Sequence, residues 1–352
     1  MSRPLFEIKD VDREYYAACV RDFLPPAIID IHTHVWLDEF VAKDSVQAAR
    51  AVKWPALVAR DNSIEDLTET YRLLFPDKRV TPLMFGYVLT RQDDIRRSNA
   101  YVSRAARKHG FPALVFASPQ WSAAELEDRI VAGGFLGAKV YLTLSEPYLP
   151  EKEIRIFDFL PHHQLEVLNR RGWIVMLHIP RDGRLRDPVN LAQLLEIDRR
   201  YPRAKVLVAH MGRAYCPEDV GGAFDLLAAT KHLRFEITAN TNAEVFGRTI
   251  QAFGPKRILF GSDLPITRMR MRRLCENGNY VNVVPKGLYG DVTGDKHMRE
   301  AVGAEAGRLS FFLYEEINAF RLAAEANKLT RRDVEDVFSR NAERMFKAIE
   351  RN

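Results

Sequence analysis

The chain has 352 residues, of which 47% are apolar, and this is enough hydrophobic material for one large core. The net charge of +5 comes from 52 basic and 47 acidic residues spread along the chain, so no basic tail or arm predicts nucleic-acid binding. The amino terminus is too charged for a signal peptide, and no stretch approaches the ~20 apolar residues that span a bilayer, so a membrane is not an expected partner either.

Eight short apolar runs, each bounded by turn or capping residues, predict eight β-strands. Helical spacing of apolar residues between the runs predicts α-helices that alternate with these strands. Strands separated by helices pair in parallel through crossovers, and eight such units close as a (β/α)8 TIM barrel. The predicted strands are residues 27–34, 80–89, 113–117, 135–142, 173–179, 205–210, 233–239 and 257–261, and the predicted helices are 93–109, 123–132, 160–171, 190–201, 217–230 and 242–253.

An open, doubly wound α/β sheet is the rival architecture. No Gly-x-Gly-x-x-Gly turn follows the first strand, so the nucleotide-binding signature of that fold is missing. After the eighth strand we expect an irregular section over 264–302. Two C-terminal helices are predicted to follow, over 305–328 and 331–349. The first would cover the barrel, and Thr330 would be the N-cap of the second. No repeat or linker divides the chain, so residues 1–352 are interpreted as a single domain.

Polar side chains lie where several predicted strands end. His32 and His34 are two residues apart on the first strand, so both rings point to the same side. In a barrel the carboxyl ends of all strands meet at one mouth, and neutral imidazole is the commonest protein ligand for zinc and similar metals. The pattern therefore predicts a metal site at the mouth, to which the other strands would bring Lys139, His178, His210 and Asp263.

Five motifs in this order resemble the amidohydrolase superfamily. They are DIHTH (30–34), MLH (176–178), VAHMG (208–212), LFGSD (259–263) and NAERMF (341–346). The most similar branch includes aminocarboxymuconate semialdehyde decarboxylase and related TIM-barrel metal-dependent hydrolases. The resemblance implies that one divalent metal is bound by His32, His34, His178 and Asp263. Zinc is the expected ion and manganese the alternative, and Asp263 and His210 are the candidate acid/base groups.

Lys139 leaves the number of metal ions open. Its surroundings resemble the fourth strand of dihydroorotase-like members, in which a carboxylated lysine bridges two metals. In that arrangement His32, His34 and Asp263 would serve one ion, and His178 and His210 the other. One ion is the favoured prediction, in which case Lys139 would bind a substrate anion instead.

Arginines follow two of the strands and are candidates for binding a carboxylate or phosphate on a small-molecule substrate. Arg213 and Arg268 are the predicted substrate-binding residues, and the alternative is a solvated loop or a subunit contact. Trp36 and Trp54 would line the pocket or pack beneath the first loop. Three further arginines lie close to Arg268 in the chain, namely Arg270, Arg272 and Arg273.

Three functional hypotheses follow. The favoured one is a metal-dependent hydrolase that uses activated water on an amide, ester or lactone. The alternatives are a non-oxidative decarboxylase of an aromatic or enoic acid, and a non-catalytic binding barrel. The resemblance is compatible with a homodimer. Three widely spaced cysteines, Cys19, Cys216 and Cys275, suggest reduced thiols and a cytoplasmic location.

Overall fold

The computed structural model describes residues 5–42 and 57–350. Eight parallel strands follow one another, and each coincides with an apolar run that predicts one, so all eight predicted strands are confirmed. The strands are β1 (Ala27–His34), β2 (Arg79–Phe85), β3 (Val115–Phe116), β4 (Gly137–Val140), β5 (Ile174–Leu177), β6 (Lys205–Val208), β7 (Arg234–Glu236) and β8 (Ile258–Leu259). β1 has the predicted length, β2 begins one residue before its run, and the strands from β2 to β8 are shorter than their runs.

Backbone hydrogen bonds close these strands into a ring. Strands β3 to β8 form one parallel sheet in sequence order, and β1 pairs in parallel with β2. The amide of Leu114 donates to the carbonyl of Met84 at 2.8 Å, which joins β2 to the approach to β3. The amide of Ile31 donates to the carbonyl of Phe260 at 3.1 Å, which joins β8 to β1. The fold is therefore the predicted (β/α)8 barrel, and not the open sheet.

Helices occupy the crossovers and the carboxyl-terminal region. Thr330 caps a helix as predicted, since its side chain accepts a hydrogen bond from the Asp333 amide. The helix predicted over 217–230 is instead a turn followed by a short helix. None of the described helices is both long and apolar enough to span a bilayer. The helices are α1 (Asp10–Tyr15), α2 (Ile64–Leu74), α3 (Ile95–His109), α4 (Ala123–Gly133), α5 (His162–Arg171), α6 (Pro188–Arg200), α7 (Ala223–Leu227), α8 (Ala243–Phe253), α9 (Gly303–Gly307), α10 (Phe312–Ala326), α11 (Arg331–Glu335) and α12 (Asn341–Glu350).

The carboxyl-terminal helices cover the outside of the barrel, as predicted. The ring of Phe320 in α10 lies 5.7 Å from that of Phe246 in α8. Phe338, between α11 and α12, stacks 4.9 Å from Phe260, which follows β8. All four rings are fully buried. Burial of aromatic side chains at this seam stabilises the position of β8, which precedes Asp263.

The section from 264 to 302 contains a small sheet, so the expectation of an irregular section is wrong. Strands β9 (Arg272–Glu276) and β10 (Asn279–Pro285) form an antiparallel hairpin, and β11 (Met298–Ala301) pairs in parallel with β10. We call these three strands the insert sheet. Asn277 and Gly278 connect the hairpin with φ values of 51° and 73°. Positive φ at both positions is typical of a type I′ turn, for which Asn-Gly is the favoured sequence.

Two of the three cysteines form a disulfide, so the expectation of three reduced thiols is wrong. Cys216, in the loop after β6, is bonded to Cys275 on β9, with their Cα atoms 5.7 Å apart. The pair is separated by 59 residues, and only the folding of the insert sheet beside that loop brings the two thiols together. The disulfide therefore ties the insert sheet to the barrel mouth, and Cys19 is a free cysteine.

Candidate metal centre

Strand β1 brings two imidazoles to one point at the mouth of the barrel. Both histidines are buried, and each uses Nδ1 in a hydrogen bond. His32 Nδ1 lies 3.2 Å from Glu236 Oε1, and His34 Nδ1 lies 2.9 Å from the carbonyl oxygen of Gly86. A backbone carbonyl and an ionised carboxylate can only accept, and these contacts therefore assign the proton to Nδ1 in each ring. The lone pair is therefore on Nε2, which is the atom each ring presents to the site.

Asp263 completes a compact group with these two rings. Its Oδ1 lies 3.5 Å from His32 Nε2 and 3.2 Å from His34 Nε2. Its backbone has a positive φ of 60°, and its amide donates to the carbonyl of His32 at 2.8 Å. One ligand atom from each of the three residues lies within 4.8 Å of the others. Two imidazoles and a carboxylate at this spacing suit a zinc-like divalent ion.

A second group shares His32 and contains two further histidines. Ligand atoms of His32, His178 and His210 also lie within 4.8 Å of one another. His178 Nε2 is 2.7 Å from His210 Nε2, while His210 Nδ1 is 3.1 Å from the carbonyl oxygen of Thr238. The structure thus brings together every residue predicted as a metal ligand, but places His178 with His210 and not in the group of Asp263.

Lys139 lies beside both groups, buried within the barrel. Its Nζ is 3.4 Å from His32 Nε2 and 2.9 Å from His178 Nδ1, and it lies 4.7 Å from the centre of the Phe85 ring. Burial lowers the pKa of Lys139 to about 7, although the negative charges of Asp263 and Glu236 act in the opposite direction. A readily neutral amine at this position fits the predicted bridging role, because carboxylation needs a neutral amine, while the predicted contact with a substrate anion would use the protonated form.

Burial favours the neutral, metal-binding form of His32, His178 and His210. Burial, and next the positive charge of Lys139, lowers the pKa of His32 and of His178 well below the usual range. Burial likewise lowers the pKa of His210 to about 4, although Asp263 opposes the shift. A neutral imidazole offers a lone pair to a cation without first losing a proton. The donor set therefore fits a divalent metal in chemistry as well as in position.

Two buried carboxylates lie beneath the donor set. Asp30 accepts hydrogen bonds from the amides of His32 and Ser262 and from the hydroxyl of Tyr71, and burial raises its pKa to about 7. Glu236 bonds to His32 and also accepts from the His210 amide. Burial raises the pKa of Glu236, and its amide donors oppose the shift. Sequence reasoning missed Glu236, whose only signal is a carboxylate in the middle of the seventh apolar run.

The predicted substrate-binding arginines lie in different surroundings. Arg213 follows His210 and donates to the backbone carbonyl of Pro180 at 2.9 Å, in the loop after β5. Arg268 instead donates to the carbonyl of Val58 and lies 5.2 Å over the ring of Phe6, in the region of the amino-terminal segment. Whether either arginine binds substrate stays a prediction.

The remaining arginines of the late cluster also have distinct partners. Arg270 pairs with Asp12 and Arg272 with Glu315. Arg273 is buried, lies 4.4 Å from the centre of the Tyr215 ring, and lowers the pKa of His210. Of the four arginines in this stretch, Arg273 is thus the one with an electrostatic effect on the candidate centre.

Aromatic side chains flank the two histidines of the second group. The Tyr141 ring lies 4.8 Å from that of His178, and the Tyr215 ring lies 6.5 Å from that of His210. Trp36, predicted as a pocket or packing residue, donates to the Arg60 carbonyl beneath the first loop. Trp54 lies outside the described residues. The aromatic rings beside the second group therefore come from tyrosines that follow β4 and β6, while Phe85 at the end of β2 lies beside His32 and His34.

Comparison with known proteins agrees with the barrel fold. The amidohydrolase family model matches residues 29–348. No curated protein sequence matches the chain. A zinc-bound amidohydrolase from Burkholderia multivorans has a TM-score of 0.57 at 13% identity, covering 91% of this chain and 99% of that one.

Two further solved structures are similar over comparable lengths. A probable 2-pyrone-4,6-dicarboxylic acid hydrolase from Acinetobacter baumannii has a TM-score of 0.54 at 14% identity, over 91% of this chain and 99% of that one. A manganese-bound dihydroxybenzoic acid decarboxylase from Polaromonas has a TM-score of 0.53 at 16% identity, over 92% and 97%. At these identities the three structures establish the shared fold, which therefore carries both hydrolases and decarboxylases.

Proposed function

Because the chain belongs to the amidohydrolase family, whose model spans residues 29–348, we propose that it is a metal-dependent hydrolase acting on an amide, ester or lactone. One observation carries this proposal: ligand atoms of His32, His34 and Asp263 converge within 4.8 Å at the barrel mouth. His178 and His210 lie beside them, so the site has more donors than a single ion needs. Active sites of TIM-barrel enzymes are built at this face.

The residues divide the chemistry between binding and proton transfer. A divalent metal held by His32, His34, His178 and Asp263 would supply Lewis acidity toward a carbonyl oxygen and lower the pKa of water toward about 7. Asp263 or the neutral His210 accepts a proton from the attacking water, and the same group then passes that proton to the leaving group. Zinc is the proposed ion, with manganese as the alternative, and one ion is favoured over two.

A carboxylate-bearing substrate is the proposed class. Arg213 is three residues beyond His210, and its positive charge contributes to lowering the pKa of His178. It is therefore better placed than Arg268 to meet an anionic group on the substrate. A homodimer and a cytoplasmic location remain parts of the same proposal, although the Cys216–Cys275 disulfide removes one argument for the cytoplasm.

A decarboxylase of an aromatic or enoic acid is the second candidate. The tyrosine rings beside His178 and His210 favour it, since a planar unsaturated acid would pack between them. The same donors would anchor the acid, and a protonated group would supply the new C–H bond. The dihydroxybenzoic acid decarboxylase with the same fold is a precedent for this chemistry in the barrel.

Turnover of a substrate panel by metal-free and reloaded enzyme tests the proposal. The panel holds lactones, esters and amides with and without a carboxylate, and each reaction is followed for hydrolysis and for carbon dioxide release. We expect hydrolysis that requires zinc or manganese and that falls at least about 100-fold in Asp263→Asn. Asp225→Asn, on the exposed face of α7, is the matched control and should keep full activity.

Each other outcome has a defined meaning. Hydrolysis that is unchanged by metal removal, or by Asp263→Asn, contradicts the proposal. Carbon dioxide release without hydrolysis selects the decarboxylase.

A further inference from the structure

Glu236 is a buried carboxylate that connects residues from several strands beneath the candidate metal centre. It lies at the end of β7, which pairs with β6 on one side and β8 on the other. We infer that Glu236 is a positioning residue, which orients His32 and His210 for the metal. This inference rests on the proposed metal-dependent function, and it adds a residue that binds neither metal nor substrate directly.

The contacts of Glu236 use both carboxylate oxygens. Oε1 lies 3.2 Å from Nδ1 of His32 and accepts from the backbone amide of His210 at 2.5 Å. Oε2 accepts from the amide of Thr238 at 3.1 Å. The side chain is completely buried. One carboxylate therefore fixes a ring on β1 and the backbone after β6 relative to each other.

The contact with His32 sets which nitrogen faces the metal. Both Glu236 oxygens accept a backbone amide proton, and with the carboxylate ionised the contact with His32 assigns the Nδ1 proton to His32 and leaves the lone pair on Nε2. That Nε2 is the atom that lies 3.5 Å from Asp263. Without Glu236 the ring loses the acceptor that holds this tautomer and this orientation.

The contact with His210 supports an uncommon backbone conformation. His210 has a φ of 53°, and the following Met211 also has a φ of 53°. Residues other than glycine rarely adopt this left-handed region, so neighbouring contacts must hold it. The bond from the His210 amide to Glu236 is such a contact, and it directs the imidazole toward His178.

Gly261, which follows β8, packs closely against Glu236 and His32. A Cβ at Gly261 would lie 2.8 Å from Glu236 Oε2 and 2.7 Å from the Cβ of His32. Any side chain at position 261 would therefore displace the carboxylate or the strand that carries His32. The backbone after β8 thus leaves the space that Glu236 occupies in its contacts with the two histidines.

Glu316 provides a matched comparison within the same barrel. It is also completely buried, and it accepts a hydrogen bond from the amide of Ala239 at 2.7 Å. Its other oxygen has no hydrogen-bond partner among the described residues. Glu316 is therefore a buried carboxylate near the same strand end, without the bonds to His32 and His210 that distinguish Glu236.

Zinc titration of Glu236→Gln and Glu316→Gln tests the inference. A glutamine at 236 must turn its amide NH2 toward one of the N–H donors that the carboxylate now accepts. We expect the zinc dissociation constant of Glu236→Gln to rise by about 10-fold to 100-fold, as for other supporting partners of metal-binding histidines. Glu316→Gln should bind zinc as the wild type does. Circular dichroism and the thermal midpoint of each metal-free variant check that both fold.

A second measurement works even if Glu236→Gln does not fold. Nitrogen-15 NMR of imidazoles in the metal-free wild type should show the proton of His32 on Nδ1. A proton on Nε2, or zinc affinity in folded Glu236→Gln equal to the wild type, would overturn the inference. If the wild type itself binds no zinc while His32 shows the Nδ1 proton, the proposed function fails and the placement of Glu236 stands.

Discussion

The substitution Gly261→Ala examines whether close packing of β8 on β1 and β7 holds the metal centre. The added methyl would lie 2.4 Å from Thr238 Oγ1, 2.7 Å from His32 Cβ and 2.8 Å from Glu236 Oε2. All three neighbours are completely buried, so none can turn into solvent. Overpacking of this kind costs about 1–3 kcal/mol of the free energy of unfolding. The displaced groups include a predicted metal ligand, so zinc affinity should fall by at least about 10-fold as well.

Urea denaturation of the metal-free protein and zinc titration of the folded protein measure the two effects separately. Gly307→Ala is the control, because a Cβ there has no neighbour within 4 Å and the backbone needs no positive φ. It should leave both the unfolding free energy and the zinc affinity near wild-type values. If Gly261→Ala behaves like Gly307→Ala in both assays, then the packing argument is refuted.

Three further predictions concern stability. The Cys216–Cys275 disulfide spans 59 residues, so its reduction should lower the free energy of unfolding by up to about 4 kcal/mol. A urea midpoint that is the same with and without reductant would contradict this prediction. Asp12→Ala leaves the buried guanidinium of Arg270 without its carboxylate. Thermal unfolding should therefore show that the free energy of unfolding falls by about 3–5 kcal/mol, and a fall below about 1 kcal/mol would contradict a buried ion pair. Burial raises the pKa of Glu316, so above the unfolded-state pKa of about 4.3 the folded protein keeps a proton that the unfolded chain loses. The contribution of Glu316 to wild-type stability therefore falls as pH rises. As pH rises, the unfolding free energy of Glu316→Gln minus that of the wild type should therefore increase by up to about 1.4 kcal/mol per pH unit. A difference that does not change with pH would contradict the raised pKa.

The sequence predicted the barrel because its strands are buried on both faces and read as separate apolar runs. His32, His34, His178, His210 and Asp263 could be predicted as neighbours because a parallel barrel brings every strand's carboxyl end to one mouth. Their convergence depends on topology alone, and the structure reproduces it.

What was missed depends on tertiary contacts or on local signals that were not used. In the insert sheet, β10 contains Val281, Val283 and Val284, and Asn277 and Gly278 are a hairpin signal, so both features were available in the sequence. The role of Glu236 follows from bonds to His32 and His210, which are distant in the chain, and no local pattern reports them. The grouping of His178 with His210 likewise depends on how far each strand reaches into the mouth.

A zinc-edge anomalous difference map from crystals of the zinc-loaded protein tests the central claim most directly. We predict one strong peak within coordination distance of His32 Nε2, His34 Nε2 and an oxygen of Asp263. A second peak between His178 and His210, with extra density on Lys139, would show that the same site holds two ions and a carboxylated lysine. Zinc-loaded crystals with no peak at His32, His34 and Asp263 would contradict the proposed metal centre.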